Sequence, residues 1–320
     1  NNHGANWQVL TDHLPTLGVS AIVVDRTNPQ LIFIGTGDRD AGDAPGMGVW
    51  RSADGGANWE QWNTGMGNTT VGRLVQDAID PLVFFAATSN GLYRTADGGA
   101  IWTRIRTGNF REVVQHPTNN QIVYAAAGAS FYRSSDTGQT FTQTTNGLPG
   151  GSRAVIGVSA ASPDVVYCLI TNSDSFKGLY RSADAGQSFT ERSTSPNIMS
   201  WDCNGGSGGQ AWYDLDIAVD PLNADNLLAG GVNSFRSLDG GSSWTIRSHW
   251  YGGCGVQSVH ADLHVLEYNP LNNRLYVGND GGFYWTANGG VNWTEISNGL
   301  VISQAYKIGQ SRTKPNHVIN

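Results

Sequence analysis

Lysine is almost missing from this chain. Of its 19 basic residues only Lys177, Lys307 and Lys314 are lysines, and glutamate occurs five times. There is no basic run, and the formal charge is -7. That excludes the phosphate-neutralising surface of a nucleic-acid binder and an electrostatically held membrane surface. No apolar stretch reaches the ~18 residues of a spanning helix, so no membrane insertion is expected. No signal-peptide pattern opens the chain, which starts at Asn1 as a processed or excised segment would. Cysteine is also scarce: three residues are too few for a disulfide scaffold, and none forms a Cys-x-x-Cys pair. Cys168, within "VVYCLI", reads as a small buried hydrophobe. Cys203 in "WDCNGGSGG" and Cys254 in "WYGGCGV" lie in Gly-rich loops one repeat apart. In an oxidising compartment they are expected to pair.

What is abundant is turn and ring chemistry. The 320 residues include 42 Gly, 11 Trp and 11 Tyr, with only 14% charged residues, which describes a β protein of many short strands. A phrase then repeats: Ser52-x-Asp54-x-Gly56-x-x-Trp59 returns around Asp97, Asp136, Asp184, Asp239 and Asn288. The intervals are 43, 39, 48, 55 and 49 residues, which suit four-stranded propeller blades. Each copy reads as a hairpin. The acidic side chain caps turn amides, Gly supplies a positive φ, and the aromatic buries beneath the turn. A motif needed six times is a building device, whereas a catalytic constellation is needed once.

Upstream of each motif come an alternating run, an Asp-Pro or Asn-Pro break and a second apolar run, as in "YDLDIAVDPLNADNLLAGG". Proline cannot donate to a ladder, so it marks the turn between the first and second strands. Each unit is therefore strand A, Pro turn, strand B, variable loop, strand C, acidic turn and strand D. "HGANWQVL" at residues 3–10 matches an orphan D strand, and "SQAYKIGQSRTKPNHVIN" at 303–320 an A strand, its Pro turn and the start of a B strand. Two readings follow: an all-β, seven-bladed propeller with one blade split between the ends, or a longer protein cut in mid-repeat. The chain is expected to be one propeller domain over 1–320.

The repeat resembles the Asp-box, or BNR, repeat, whose pattern is S-x-D-x-G-x-x-W. That family includes sialidases, xyloglucan-cleaving hydrolases, the sortilin ectodomain and many secreted proteins, so the resemblance implies a fold more than an activity. In the family the boxes sit away from the active site. "GQAWYDLDIAVDPLNADNLLAGGVNSFRSLDGGSSW" and "HWYGGCGVQSVHADLHVLEYNPLNNRLYVGNDGGFYWTANGGVNW" are similar to large exported proteins of gliding bacteria with type IX sorting domains. This implies secretion, a cell-surface location and adhesion or assembly.

Chemistry is expected along the channel and on the face carrying the D-to-A and B-to-C loops. His260, Asp262 and His264 at period two offer two imidazoles and a carboxylate for a metal or for acid–base work. On a flat strand they would spread over roughly 13 Å, so one ion would require a bulge. Asp214 and Asp216, after Tyr213, sit on the neighbouring A strand but at the opposite parity. Asp38, Asp40 and Asp43 in "GDRDAGDAPGMG" are a hard-oxygen set of the kind Ca²⁺ takes, without the spacing of an EF-hand; no cofactor is required. Trp201, Trp212 and Tyr213, with His249, Trp250 and Tyr251, form aromatic groups beside Gly runs, suited to stacking on sugars or anchoring a protein.

Two functions fit. One is a secreted or surface module that binds a glycan or protein and can join a larger chain or assembly. The other is a glycoside hydrolase using two carboxylates from among Asp38, Asp214, Asp216, Asp262 and Asp280. A sialidase is disfavoured, because the nearest text to its Phe-Arg-Ile-Pro signature is Phe110-Arg111-Glu112-Val113.

Overall fold

The structure, a computed structural model, describes residues 4–300, 309–310 and 318–319. Within them six four-stranded antiparallel sheets follow one another, the strands of each hydrogen-bonded in chain order. Blade one comprises Val19–Val24, Ile32–Thr36, Val49–Ser52 and Glu60–Gln61. The later blades open at strands A Val71–Gln76, Phe110–Gln115, Arg153–Val158, Asp216–Val219 and Leu263–Tyr268. The six motifs occupy the six C-to-D turns, as the repeat demands.

The turn chemistry explains why the strands end where they do. In the first box Ser52 Oγ accepts from Gly56 N at 2.8 Å and donates to Asp54 Oδ1, which also accepts from Asn58 N. Asn288 does the same work in the last box, accepting from Thr286 Oγ1 and Asn292 N, so the turn needs the oxygen and not the charge. At the Pro turns Asp25 Oδ1 accepts from the amides of Thr27 and Asn28, and Asp77 Oδ1 from those of Ile79 and Asp80. The last residue of the next A strand then reaches across: Gln76 donates to Asp25, and Gln115 to Asp77.

Hydrophobic burial lies between blades. Five apolar clusters each join two successive blades, from one–two to five–six. Phe33 of blade one meets Phe84 of blade two with ring centres 4.7 Å apart, and Phe131 of blade three meets Phe189 of blade four at 5.0 Å. A two-faced sheet cannot bury both faces alone, so each blade depends on its neighbours. The boxes take part in the same joints. Arg94 Nε donates to Thr137 O of the next box, and Arg133 Nε to Ala185 O of the one after.

The indoles of the boxes make a further relay. Trp102 Nε1 donates to Trp62 O and Trp293 Nε1 to Arg247 O, in each case three residues past the preceding box aromatic. The N-terminal segment joins this relay. Trp7 Nε1 donates to Ile296 O at 3.0 Å, its ring stacks on Phe283 at 5.2 Å, and Trp59 Nε1 in turn donates to Leu10 O. Residues 7–10 thus stand at the outer-strand station between blades six and one. They differ from the expected D strand in pairing with no other strand among the described residues. Of the expected A strand, Pro turn and B strand at 303–320, Gly309–Gln310 pairs antiparallel with Val318–Ile319, and the rest lies outside the described residues.

Candidate functional site

The D-to-A and B-to-C loops meet on the face opposite the boxes, and their polar side chains reach the channel mouth. The loop before blade five turns sharply at Gly209, where φ is +136° and a Cβ would stand 2.3 Å from Asp174 O. It then folds so that Tyr213 N and Asp214 N both donate to Gln210 O. Strand A of blade five begins only at Asp216, and that of blade six at Leu263, so Asp214, His260 and Asp262 lie on lead-in segments. A bulge between Leu263 and Val265 and a left-handed φ of 66° at Asp262 resolve the conflict of parities. Asp262 turns toward blade five instead of following the alternation.

The result is a carboxyl pair. Gln210 Nε2 donates to both Asp214 Oδ2 and Asp262 Oδ1. Asp214 is 1% exposed, its Oδ1 has no hydrogen-bond partner, and burial with the nearby Asp262 pushes its pKa up to about 8. Burial and Asp280 raise Asp262 as well. At neutral pH Asp214 therefore keeps its proton. Beside this pair His264 is clamped, Nδ1 on Asp40 Oδ2 at 3.1 Å and Nε2 on Asp280 Oδ1 at 3.0 Å. Burial opposes its charge, but the two carboxylates prevail and lift it to about 9. Tyr213 Oη donates to Asp280 Oδ2 at 3.1 Å, and its ring stands edge-on to His264.

Deeper in, Asp40 meets Arg153 at 3.0 Å and Arg39 at 3.3 Å, and Arg39 meets Glu112 at 3.5 Å. Asp40 stays ionised although burial opposes it, because His264, Arg39 and Arg153 hold its pKa far down. Asp216 is buried and accepts from Leu266 N and Ile217 N, which makes it a link between two A strands rather than a reactive group.

Two expected metal sets are not assembled. Asp38 spends both oxygens on the amides of Asp40, Ala41, Gly42 and Asp43, and Asp40 points into the channel, so Asp38, Asp40 and Asp43 do not converge as a calcium site. His260 contacts its own neighbour, Ala261 O, while His264 is held by Asp40 and Asp280, so the bulge does not bring His260, Asp262 and His264 onto one ion. Among the described residues, the His, Cys, Asp and Glu side chains close enough to share an ion are Cys203, His249 and Cys254.

The aromatic residues form a rim shelf. Trp201, Trp212, Trp250 and Tyr251 are all about half exposed or more, at 45–66%. Their loops are nevertheless fixed. The buried Asn233 donates to Ser200 O and Trp201 O and accepts from Trp250 N, and a Cys203–Cys254 disulfide joins the same two loops with Cα atoms 5.5 Å apart. Arg153 Nη1 donates to the carbonyls of Trp212 and Tyr213, and Arg111 Nη1 to that of Trp212, tying the shelf to the channel. Gln210, Asn233 and the channel arginines escaped the reading of the sequence. Charged residues within the otherwise apolar A strands "VGRLVQ", "FREVVQ" and "RAVIGV" are the available signal for the arginines.

A family model described as Sortilin, neurotensin receptor 3, matches residues 90–214. No curated protein matches the chain. Among solved structures, the GH74 xyloglucanase of Xanthomonas campestris is similar at 19% identity, with 92% of this chain and 50% of that one covered and a TM-score of 0.64. The GH74 enzyme of Niastella koreensis is similar at 20% identity, covering 86% and 46% with a TM-score of 0.57. The extracellular domain of a putative hybrid two-component system from B. thetaiotaomicron is similar at 16%, covering 91% and 34% with a TM-score of 0.62. The chain spans about half the length of the GH74 enzymes it matches, and at these identities the likeness is one of fold. With a box turn in each of six four-stranded blades, acidic in five and built on Asn288 in the sixth, the chain is a β-propeller whose turns resemble the Asp-box repeat.

Proposed function

We propose that this propeller is a secreted or cell-surface binding module whose rim shelf takes a glycan, with Trp201, Trp212, Trp250 and Tyr251 stacking on sugar rings. The observation that carries the reading is the shelf itself: four large exposed aromatics on two loops that Asn233 and a disulfide hold in place. Prefixed aromatics lose little entropy on binding. The half-exposed Asp280 and Tyr213 stand close by to hydrogen-bond hydroxyls. The disulfide suits an oxidising compartment.

The second reading, glycoside hydrolysis, draws on the carboxyl pair, because a protonated Asp214 beside a second carboxyl has the acid–base character that glycosidases use. Against it, a general acid must touch its substrate, and Asp214 is sealed from the surface. Affinity electrophoresis and reducing-end release on a panel of plant and microbial polysaccharides separate the two. Retention without release is expected, weakened about 30-fold or more by Trp212→Ala or Trp250→Ala. Sugar release that Asp214→Asn or Asp262→Asn abolishes would replace the binding module with a hydrolase. Retention by a protein and by no polysaccharide would replace the glycan with a protein ligand.

A further inference from the structure

We propose that Cys203, Cys254 and His249 become a binding site for a thiophilic divalent cation of the zinc type when their disulfide is reduced. The sulfur of each cysteine and a ring nitrogen of His249 already lie within 4.8 Å of one another. Bond lengths of ~2.3 Å for zinc–sulfur and ~2.0 Å for zinc–nitrogen put tetrahedral ligands roughly 3.5–3.8 Å apart. Once the disulfide is reduced, side-chain rotations part the two sulfurs to that spacing and bring the His249 nitrogen to it.

The second observation is an orphan. His249 is 1% exposed, and its Nδ1 is enclosed without any hydrogen-bond partner. A buried unpaired ring nitrogen is costly, and packing beside a disulfide gives it no compensation. Its approach is kept clear by Gly253, next to Cys254, where a Cβ would stand 3.2 Å from that nitrogen. The ring is oriented by the edge of Tyr251, with centres 4.3 Å apart.

Reduction should leave the two loops where they are, because the disulfide is not the sole bond between them. Asn233 binds Ser200 and Trp201 on one side and Trp250 on the other. The His249 loop is closed on itself by His249 N to Gln257 O and Gly252 N to His249 O. The Cys203 loop is closed by Asn197 Nδ2 to the carbonyls of Gly206 and Gly208. A dithiol that exchanges with the disulfide, or a water-soluble phosphine that becomes its oxide by taking oxygen from water, supplies two electrons, and two thiols form. The cation then displaces both thiol protons to solvent and binds two thiolates and the neutral imidazole, with water in the fourth position. The loops would be stapled in either redox state, by sulfur–sulfur or by metal.

The test needs no glycan and is independent of the binding reading. The protein is reduced with the phosphine, freed of metal, and titrated with Co²⁺ while thiolate-to-cobalt charge-transfer absorption is followed, with Zn²⁺ added in competition. One equivalent of Co²⁺ is expected in the reduced protein and none in the oxidised protein. The band should vanish in Cys203→Ser, and affinity should fall by more than about 10-fold in His249→Ala. Cys168, buried and with its thiol pushed up to about 12 by burial, stays silent as an internal control. Absence of the band in reduced protein, or equal affinity in His249→Ala, overturns the site. Disulfide content of oxidised His249→Ala, read by mass, shows that the variant keeps the fold.

Discussion

On the box face Asp54 stands in the open, and the Asn58 side chain and amide with Ser52 draw its pKa down to about 2. On the loop face Asp214 is sealed from water and pushed up to about 8 by burial and by Asp262. Both are aspartates at the end of a strand or turn, yet one stands in water among several donors and the other is buried beside another acid with Gln210 as its side-chain donor. The box arrangement occurs in every blade, with Asn288 for Asp in the sixth, and in each the Oδ1 accepts a turn amide, as a joint should. The Asp214 arrangement occurs once and leaves Asp214 Oδ1 unpartnered. Repetition marks what holds the ring together, and singularity marks where a ligand has something to gain.

Three experiments would sharpen or break that contrast. The largest effect is expected from Trp102→Ala, because this box indole is 2% exposed and bonded to Trp62 O. It should cost ~3–5 kcal/mol in urea unfolding, while Trp212→Ala on the shelf should stay within ~0.5 kcal/mol. Similar losses at both sites would erase the distinction between joint and shelf. Next comes Asp214→Asn. A carboxyl whose folded pKa lies above its ordinary value of 3.8 favours the fold most below that value. As pH rises from about 4 towards 8 the unfolded chain ionises and the folded one does not, so stability falls. Wild type should lose more than ~1 kcal/mol between about pH 5 and about pH 8, and Asp214→Asn should lack that slope. A flat wild-type profile would mean that Asp214 is already ionised in the fold. The smallest effect, a melting temperature barely distinguishable from wild type at neutral pH, is expected of Asp54→Asn, since Asn288 already serves in the sixth box. A larger loss by thermal melting would show that the charge itself is needed.

The blades were legible because their turn chemistry is local. Serine, aspartate, glycine and an aromatic at fixed offsets specify a hairpin wherever they occur. The site was legible only in part. Asp214, Asp262, Asp280 and His264 were each candidates on the loop face, but opposite parities kept Asp214 apart from Asp262, and the pairing rests on a left-handed Asp262 and a bulge; a non-glycine at positive φ leaves no mark in sequence. Asp40 reads in sequence as one of three loop carboxylates, and its fall into the channel depends on arginines from blades three and four as well as on Arg39. Gln210 and Asn233 are uncharged residues outside any periodic pattern, so only coordinates reveal that each bridges two segments.

The indole relay has a consequence for how such a ring can change. Where box tryptophans form the relay from one box to the next, the chain between them runs 43 or 49 residues, whereas all the relay bonds stay between 2.9 and 3.1 Å. Each of these tryptophans is a ruler laid from one outer strand to the next, so at those joints the pitch of the ring is set without reference to contour length. Insertions on the opposite face are therefore nearly free of architectural cost. A propeller of this kind can lengthen or replace its recognition loops while its circumference stays constant.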